Sequence, residues 1–257
     1  MRIAVALIGL ALAPACSVET SPAQETRVMI DDTLKQDLTT LRGAHVFFGH
    51  HSVGQNILEG LAALSKEAGI EVKIDEAPVG QNTRPLEKFR DFAERAERDL
   101  NDGTQLMLMK LCYVDFNPRT DVDELVRGYV AAVARVRKAR PSVRIVHVTP
   151  ALSARPTDLK STLNRTLGRP VWEDQANAKR LDYGRKIREA FPEDPFFDLA
   201  AVESTRPDGG TEHHEVGGLQ VPMLWPGYSN DGGHLNAEGQ RVAAKAFAHS
   251  LADALRK

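Results

Sequence analysis

A serine flanked by two histidines lies in the stretch GHHSVGQNI, residues 49–57. The preceding segment, 44–48, is short, apolar and β-prone, and helical spacing follows, so Ser52 is predicted at a strand-to-helix junction. Backbone N–H groups and the helix dipole at such a junction favour developing negative charge, which suits a nucleophile. The simpler interpretation is a capping box, with Ser52 as N-cap and Gln55 three residues later.

A second chemical motif is NDGGHLN, residues 230–236, just before the last predicted helix. A serine hydroxyl is a weak nucleophile that needs a base and a group to orient that base. Asp231 can accept from one ring nitrogen of His234 and leave the other nitrogen for Ser52. The alternative is a flexible glycine turn in which Asn236 is the N-cap of the helix.

Five apolar, β-prone segments alternate with helical patterns along the chain. The predicted strands are 44–48, 71–74, 105–111, 143–149 and 196–199. The predicted helices are 54–68, 85–100, 121–139, 175–190 and 237–255. This alternation predicts an α/β fold with a parallel sheet covered by helices on both faces. Two long loops, 152–174 and 203–230, follow strands and are expected at the carboxyl edge, where ligands bind in open α/β folds.

The order of these elements resembles that of the SGNH hydrolases, also called GDSL esterases and lipases, and the resemblance covers residues 44–255. It rests on a serine after the first strand and a D-x-x-H block before the final helix. It implies a flavodoxin-like, three-layer α/β/α sandwich with a central, mostly five-stranded parallel sheet. It also implies cleavage or transfer of acyl esters without a cofactor, with Ser52 as nucleophile, His234 as base and Asp231 orienting the imidazole.

Two family blocks near the serine differ in this chain. The G-D-S block is His50-His51-Ser52 here, and we expect His51 to make hydrogen bonds in place of the aspartate. Gly80, in GQNT after the second strand, is similar to the glycine block of the family. The resemblance therefore implies an oxyanion hole formed by the N–H groups of Ser52 and Gly80.

The third block departs further. The family has G-x-N-D after the third strand, whereas this chain has KLCYVD, residues 110–115, with no asparagine in place. Asn82, Lys110 or a backbone N–H substitutes for it, or the hole is weaker; losing one donor typically costs about 100- to 1,000-fold in turnover. Lys110, Tyr113 and Trp225 are also candidates for supporting the site or binding substrate.

The other histidines and aromatic side chains have simpler interpretations. The pairs His50-His51 and His213-His214 show no spaced metal motif, and adjacent side chains point in different directions, so no metal site is predicted. The aromatic residues of the two long loops either stack on sugar rings or pack the loops onto the core; packing is favoured. These residues are Trp172, Trp225 and Tyr228. The charged run 87–92 is interpreted as a solvated helix face.

The first sixteen residues, MRIAVALIGLALAPAC, indicate export. Their apolar run is too short to span a membrane and is followed by small residues typical of signal cleavage. Cys16 either becomes a lipidated first residue that attaches the protein to a membrane, or is removed or left by plain cleavage. Residues 17–40 are interpreted as a tether and lead-in segment, and residues 41–257 as the hydrolase-like domain. Cys112, the one other cysteine, is predicted to be buried.

Composition excludes one class of function. The chain has 257 residues, a net charge of -2 and no long basic block, so no nucleic-acid partner is expected. Taken together, the sequence predicts an exported, periplasmic serine esterase acting on O-acyl, most plausibly acetyl, esters of a carbohydrate or related small substrate. Two alternatives stay open: an acyltransferase that uses the same triad on an envelope glycan, and a non-catalytic binding lipoprotein. The sequence does not specify an oligomeric state.

Overall fold

A computed structural model describes residues 29–257; the predictions for residues 1–16, including Cys16, lie outside the described residues. The helices are α1 (Asp32–Arg42), α2 (Ser52–Ala68), α3 (Pro85–Arg98), α4 (Val122–Ala139), α5 (Leu159–Thr166), α6 (Trp172–Ala190), α7 (Leu199–Ser204) and α8 (Ala237–Arg256). The strands are β1 (Val46–His50), β2 (Asp75–Pro78), β3 (Leu106–Met109), β4 (Arg144–Ile145), β5 (His147–Val148), β6 (Phe196–Phe197), β7 (His213–Val216) and β8 (Leu219–Pro222).

The central sheet is parallel. β1 lies between β2 and β3, β4 pairs with β3, and β5 pairs with β6. β4 and β5 are two halves of one strand, because Val146 between them donates to the Met107 carbonyl (3.1 Å) and His147 donates to the Pro195 carbonyl (2.9 Å). The resulting order, β2-β1-β3-β4/β5-β6, confirms the predicted α/β fold with a mostly five-stranded parallel sheet.

Helices cover both faces of this sheet and create two hydrophobic cores. Consecutive strand side chains point to opposite faces, so Phe48 and Leu108 enter one core while Phe47 and Met107 enter the other. The first core is completed by α1, α2 and α8, and the second by α3, α4 and α6. The serine-bearing end of α2 and the helix after the D-x-x-H block therefore pack on the same side of the sheet.

The second strand lies four residues later than the sequence predicts. Residues 71–74 alternate in polarity, and Val72 and Ile74 are indeed partly buried against the first core. Their backbone nevertheless lies outside the sheet, and the ladder with β1 runs instead from Asp75, opposite Phe47, to Pro78, opposite His50. The alternating polarity of residues 71–74 correctly indicated which side chains are buried. It did not indicate which residues pair with β1, because pairing depends on where β1 lies.

The folded domain begins before the predicted boundary at residue 41. α1 lies in the segment interpreted as tether and lead-in, and its Leu34, Leu38 and Leu41 are almost completely buried against α8. Asp31 caps the helix by accepting from the Leu34 N–H at 2.8 Å. The spacing of these leucines is helical, so the signal was present in a segment that is otherwise polar.

The two long predicted loops contain secondary structure. α5 lies within 152–174, and the antiparallel hairpin of β7 and β8 lies within 203–230. The hairpin turns at Gly217 and Gly218, whose φ values of 58° and 82° are conformations that glycine adopts readily. None of the helices in residues 29–257 is long and apolar enough to cross a membrane.

Candidate active site

Ser52 occupies the first position of α2, directly after β1. The N-cap is His51, which makes no side-chain capping bond, so the predicted capping box with Ser52 as N-cap is wrong. The reason is that the extended conformation of β1 continues through His51, with φ −135° and ψ −168°, and the helix begins one residue later. The Ser52 side chain is half-buried, and its N–H is among the first helical N–H groups, which have no intrahelical acceptor.

Asp231 and His234 form a direct hydrogen-bonded pair. Nδ1 of His234 lies 2.7 Å from Oδ2 of Asp231, while Oδ1 accepts the N–H groups of Gly233 at 2.9 Å and His234 at 2.8 Å. These bonds, led by that from the imidazole, hold the pKa of Asp231 below its usual range. With Nδ1–H directed at the carboxylate, Nε2 is the nitrogen left to accept a proton.

The loop that carries this pair docks against the front of α2. The N–H of Leu235 donates to Oδ1 of Asn56 at 3.1 Å, and Asn56 lies one helical turn after Ser52 on the same face. One turn further on, Glu59 accepts from the Gln240 side chain at 3.1 Å. The structure thus places the D-x-x-H loop beside the first two turns of the serine helix. Within residues 29–257 the hydrogen bonds of His234 go to Asp231 and none joins it to the Ser52 hydroxyl, so the contact between Ser52 and His234 stays a prediction.

Tyr113 closes one side of the imidazole. Its ring meets that of His234 edge-on, with centroids 5.6 Å apart and an interplanar angle of 80°. Gly233 is required there, because a Cβ at this position would lie 2.6 Å from the Tyr113 ring. Burial and the nearby carboxylate of Asp231 raise the pKa of Tyr113, so its hydroxyl stays neutral beside the pair. Tyr113 therefore lies where the sequence predicted a supporting residue.

His51 and Gly80 have roles in positioning the loop after β2. Nε2 of His51 donates to the carbonyl oxygen of Val79 at 2.9 Å. The carbonyl oxygen of Gly80 lies 3.2 Å from the same nitrogen. The expected oxyanion role of the Gly80 N–H is not supported, because this group donates to Oδ2 of Asp91 at 3.0 Å. Because Asp91 occupies the Gly80 N–H, the N–H of Ser52 is the remaining backbone donor predicted for the oxyanion hole.

The run 87–92 is not only a solvated helix face. Lys88 is completely buried and forms an ion pair with Asp115, which is also buried, at 2.7 Å. Asp115 further accepts the N–H groups of Thr83 at 2.8 Å and Cys112 at 2.7 Å, so it joins the loops after β2 and β3. The sequence did not indicate this burial, because a lysine in an amphipathic helix normally lies on the exposed face. Its partner Asp115 lies 27 residues away and is not part of the local pattern.

Asn82 is oriented by the same buried lysine. Its Oδ1 accepts from Nζ of Lys88 at 2.9 Å. Because an ammonium can only donate, this contact fixes the amide orientation and directs the NH2 group away from Lys88. Asn82 is exposed at the loop surface, and it remains a candidate for the missing oxyanion donor.

Lys110 and Trp225 do not reach the cleft. Lys110 is fully buried, with Nζ 3.4 Å from Sγ of Cys112, because it directly follows the central strand β3. Trp225 packs edge-on against Tyr228, with centroids 4.7 Å apart. The burial of Lys110 keeps it from touching an ester directly, which corrects its predicted role in binding or as a donor. Trp225 is partly buried, and its role in binding substrate stays a prediction. Cys112 is buried as predicted.

A cleft of about 730 Å³ opens beside Asp231, Gly232 and Gly233. Its walls come from the loops after β2, β3 and β5 and from the first half of α6, with these side chains among others: Thr83, Tyr113, Ser153, Arg155, Trp172, Glu173 and Arg180. Trp172 is 57% exposed at the rim, unlike the packed Trp225. The predicted carboxyl edge of the sheet is therefore where the cavity lies.

Sequence reasoning missed the polar network under this cleft. Arg180 is buried and donates to Oγ of Ser153 at 3.0 Å and to the carbonyl of Tyr113 at 2.5 Å; burial lowers its pKa to about 10. Asn177, one turn earlier, donates to the Ser153 carbonyl at 2.8 Å. The available signal was two polar residues three apart among the apolar positions Ala176, Tyr183 and Ile187.

The remaining histidines are scattered over the molecule. Nε2 of His50 contacts Oε2 of Glu76 at 2.6 Å, His213 contacts the carbonyl of Thr211 at 2.9 Å, and His214 lies 3.7 Å from Asp174. Across residues 29–257, no group of three or more His, Cys, Asp or Glu side chains is arranged to hold a metal ion.

Comparisons with known proteins give similarities to solved structures. No protein family model and no curated protein matches the chain. A structure from Streptococcus pneumonia named after platelet activating factor is 16% identical, covers 86% of this chain and 91% of its own, and has a TM-score of 0.52. A Parabacteroides merdae structure described as a GDSL-like lipase is 15% identical, with 82% and 96% covered and a TM-score of 0.47. The periplasmic domain of a lipopolysaccharide acetyltransferase from Salmonella ser. Paratyphi A is 13% identical, with 79% and 81% covered and a TM-score of 0.45.

Fold and sheet order together define the structural class. The chain has the three-layer α/β/α fold with a parallel central sheet that the resemblance implied. In this fold it carries a serine at the start of the first helix after β1 and an Asp-His pair before the last helix.

Proposed function

We propose that this protein is a serine esterase that cleaves O-acyl esters, with Ser52 as nucleophile, His234 as general base and acid, and Asp231 as the group that orients the imidazole. The observation that carries the proposal is the Asp231–His234 pair, docked through Asn56 against the turn of α2 that follows Ser52. In this proposal Nε2 of His234 takes the proton of the Ser52 hydroxyl, and the cleft lined by Asp231, Gly232 and Gly233 receives the substrate.

The reaction proceeds through an acyl-enzyme. Oγ of Ser52 attacks the ester carbonyl carbon while its proton passes to Nε2 of His234, and Asp231 stabilises the resulting imidazolium. The carbon–oxygen bond to the alcohol breaks, and the alcohol leaves with the proton from His234. Water then attacks the acyl group, gives a proton to Nε2, and releases the carboxylic acid as that proton returns to Ser52. The N–H of Ser52 and the amide of Asn82 are the proposed oxyanion donors.

The proposed substrate is an acetyl or other short acyl ester of a carbohydrate or related small molecule. Trp172 offers an exposed indole at the cleft rim for a sugar ring, and Arg155 and Glu173 offer polar contacts for hydroxyl groups. Hydrolysis is favoured over transfer by the exposure of the pair, since 43% of the His234 side chain and 57% of the Asp231 side chain face solvent. Water can therefore reach the acyl-enzyme.

The test uses the chain from Ser17 onward, which retains every described element. It should hydrolyse p-nitrophenyl acetate, and Ser52→Ala and His234→Ala should each lower kcat/KM at least about 1,000-fold. Ser65→Ala is the matched control, because Ser65 lies on the same helix, is buried, and its Oγ has no hydrogen-bond partner within residues 29–257. Activity retained in Ser52→Ala, with folding verified by circular dichroism, would contradict the site.

Two outcomes would replace hydrolysis by another function. Acetyl groups found by mass spectrometry on a glycan acceptor, in a Ser52-dependent reaction, would assign acyl transfer. Failure of a fluorophosphonate probe to label Ser52 in the folded protein would favour a binding protein on the same scaffold.

We also propose that the protein acts after export, in the periplasm. The support is the sequence of residues 1–16, with either lipidation of Cys16 or plain cleavage of the signal. Intact-mass measurement of the mature protein, together with membrane fractionation of a Cys16→Ser variant, distinguishes the two. A full-length cytoplasmic product would contradict export.

A further inference from the structure

Helix α5 is amphipathic, but its apolar face is turned away from the protein. Leu159, Leu163 and Leu167 are four residues apart and so lie on one face, and they are 90%, 57% and 53% exposed. None of the residues of α5 is buried. A surface helix of a globular protein normally directs such a stripe into the core.

A polar contact holds the helix in this orientation. On the opposite face, Nε and Nη2 of Arg165 donate to the two carboxylate oxygens of Asp174 at 2.7 and 2.9 Å, and Nη1 donates to the Pro156 carbonyl at 2.6 Å. Asp174 is buried, and only 11% of the Arg165 side chain is exposed. A bidentate, largely buried ion pair fixes geometry, so the outward position of the leucines is built into the fold.

Cationic side chains lie on α5, just after it and across an adjoining depression. Lys160, Arg169 and Arg119 are exposed, and none of them forms an ion pair with a carboxylate in residues 29–257. Lys160 and Arg119 line one shallow depression together with Trp172. Two carboxylates lie nearby: Asp158 caps α5 by accepting from Ser161 at 3.0 Å, and Glu173 lines the same depression. The cations outnumber these carboxylates at the surface.

We propose that Leu159, Leu163, Leu167 and Trp172, with Lys160, Arg169 and Arg119, form a docking surface for an anionic phospholipid bilayer. Leucine and tryptophan side chains enter the boundary between headgroups and acyl chains, while flanking lysine and arginine contact lipid phosphates. A second copy of the chain is a poorer fit, because four apolar side chains provide less area than the roughly 800 Å² per partner of a stable interface, and the surrounding like charges repel.

The docking surface adjoins the cleft beside Asp231. Trp172 belongs both to the docking surface and to the cleft rim, so a docked protein holds its cleft close to the bilayer. Docking does not depend on whether Ser52 cleaves esters.

The experiment measures co-sedimentation of the chain from Ser17, which lacks Cys16 and the signal, with phospholipid vesicles. Vesicles of mixed phosphatidylglycerol and phosphatidylcholine should bind it, and vesicles of pure phosphatidylcholine should bind it at least about tenfold more weakly. Added salt should weaken binding to the mixed, anionic vesicles. The double variant Leu159→Ser/Leu163→Ser should lower binding at least about tenfold. The double variant Lys160→Gln/Arg169→Gln should bind the anionic vesicles only as weakly as the wild type binds pure phosphatidylcholine vesicles.

The matched control is Leu219→Ser, since Leu219 is 60% exposed on the β-hairpin outside this surface. It should bind vesicles like the wild type. The proposal is overturned if the leucine double variant, shown to be folded by its melting temperature, binds as well as the control, or if no vesicle binds the wild type. A concentration-dependent dimer that the same double variant abolishes, without vesicle binding, would assign the surface to a second copy instead.

Discussion

The neighbour Lys88 determines which hydrogen-bonding group of the Asn82 side chain is free to contact a ligand. Its carbonyl oxygen accepts from the buried ammonium of Lys88, so its two N–H donors face elsewhere. The Gly80 N–H, which the family resemblance implied as a donor, is engaged by Asp91. At the scale of residues, the proposed oxyanion hole therefore uses the N–H of Ser52 and the amide of Asn82, which lies in the loop after β2.

The first prediction concerns Asn82→Asp. This change keeps the oxygen that accepts from Lys88 and removes both N–H donors, so we expect kcat to fall about 100-fold with a nearly unchanged KM and melting temperature. Steady-state kinetics on p-nitrophenyl acetate measures it. Gln81→Ala, at the exposed neighbouring position, is the control. Equal kcat values for the two variants would show that Asn82 does not contact the oxyanion.

At the scale of elements, buried polar pairs connect segments that are distant in sequence. Lys88 on α3 and Asp115 after β3 are both inaccessible to solvent and bind the loop 80–83 to the loop 112–115. Removing one partner of a buried ion pair leaves an uncompensated charge, which costs more than the pair itself contributes.

Lys88→Met is accordingly expected to lower the free energy of unfolding by about 3–5 kcal/mol. Adding Asp115→Asn should recover part of that loss, because the orphaned carboxylate is then neutral. Urea unfolding of both single variants and the double variant measures the coupling. Lys73→Met, at a lysine whose side chain is 83% exposed, should change stability by no more than about 0.5 kcal/mol. Strictly additive effects at 88 and 115 would contradict the argument.

At the scale of the whole molecule, the polar network beneath the cleft joins α6, α7 and the central strands. Glu203 is almost completely buried, and its carboxylate accepts the Leu152 N–H at 2.6 Å near Arg180 and Lys110. Burial raises the pKa of the Glu203 carboxyl to about 8 despite these two cations. The folded chain therefore keeps a proton near neutral pH that the unfolded chain has released.

This proton predicts how stability depends on pH. Between the ordinary pKa of 4.5 and the raised value of about 8, the folded state binds the extra proton, so the Glu203 contribution to the free energy of unfolding falls as pH rises. The slope is at most about 1.4 kcal/mol per pH unit. Glu203→Gln, which keeps the acceptor for Leu152, should flatten it in urea unfolding across this range. Parallel curves for wild type and variant would contradict the raised pKa.

The sequence by itself determined the alternation of strands and helices, the five-stranded parallel sheet and the candidate triad residues, because each follows from local periodicity or a short motif. Leu34, Leu38 and Leu41 also had helical spacing, although they stand in a polar segment. Tertiary structure alone decided the pairing of β2, the capture of the Gly80 N–H by Asp91 and the burial of Lys88, Arg180 and Glu203. Each of these depends on a partner in another element of the fold, and no local pattern in the sequence identifies that partner.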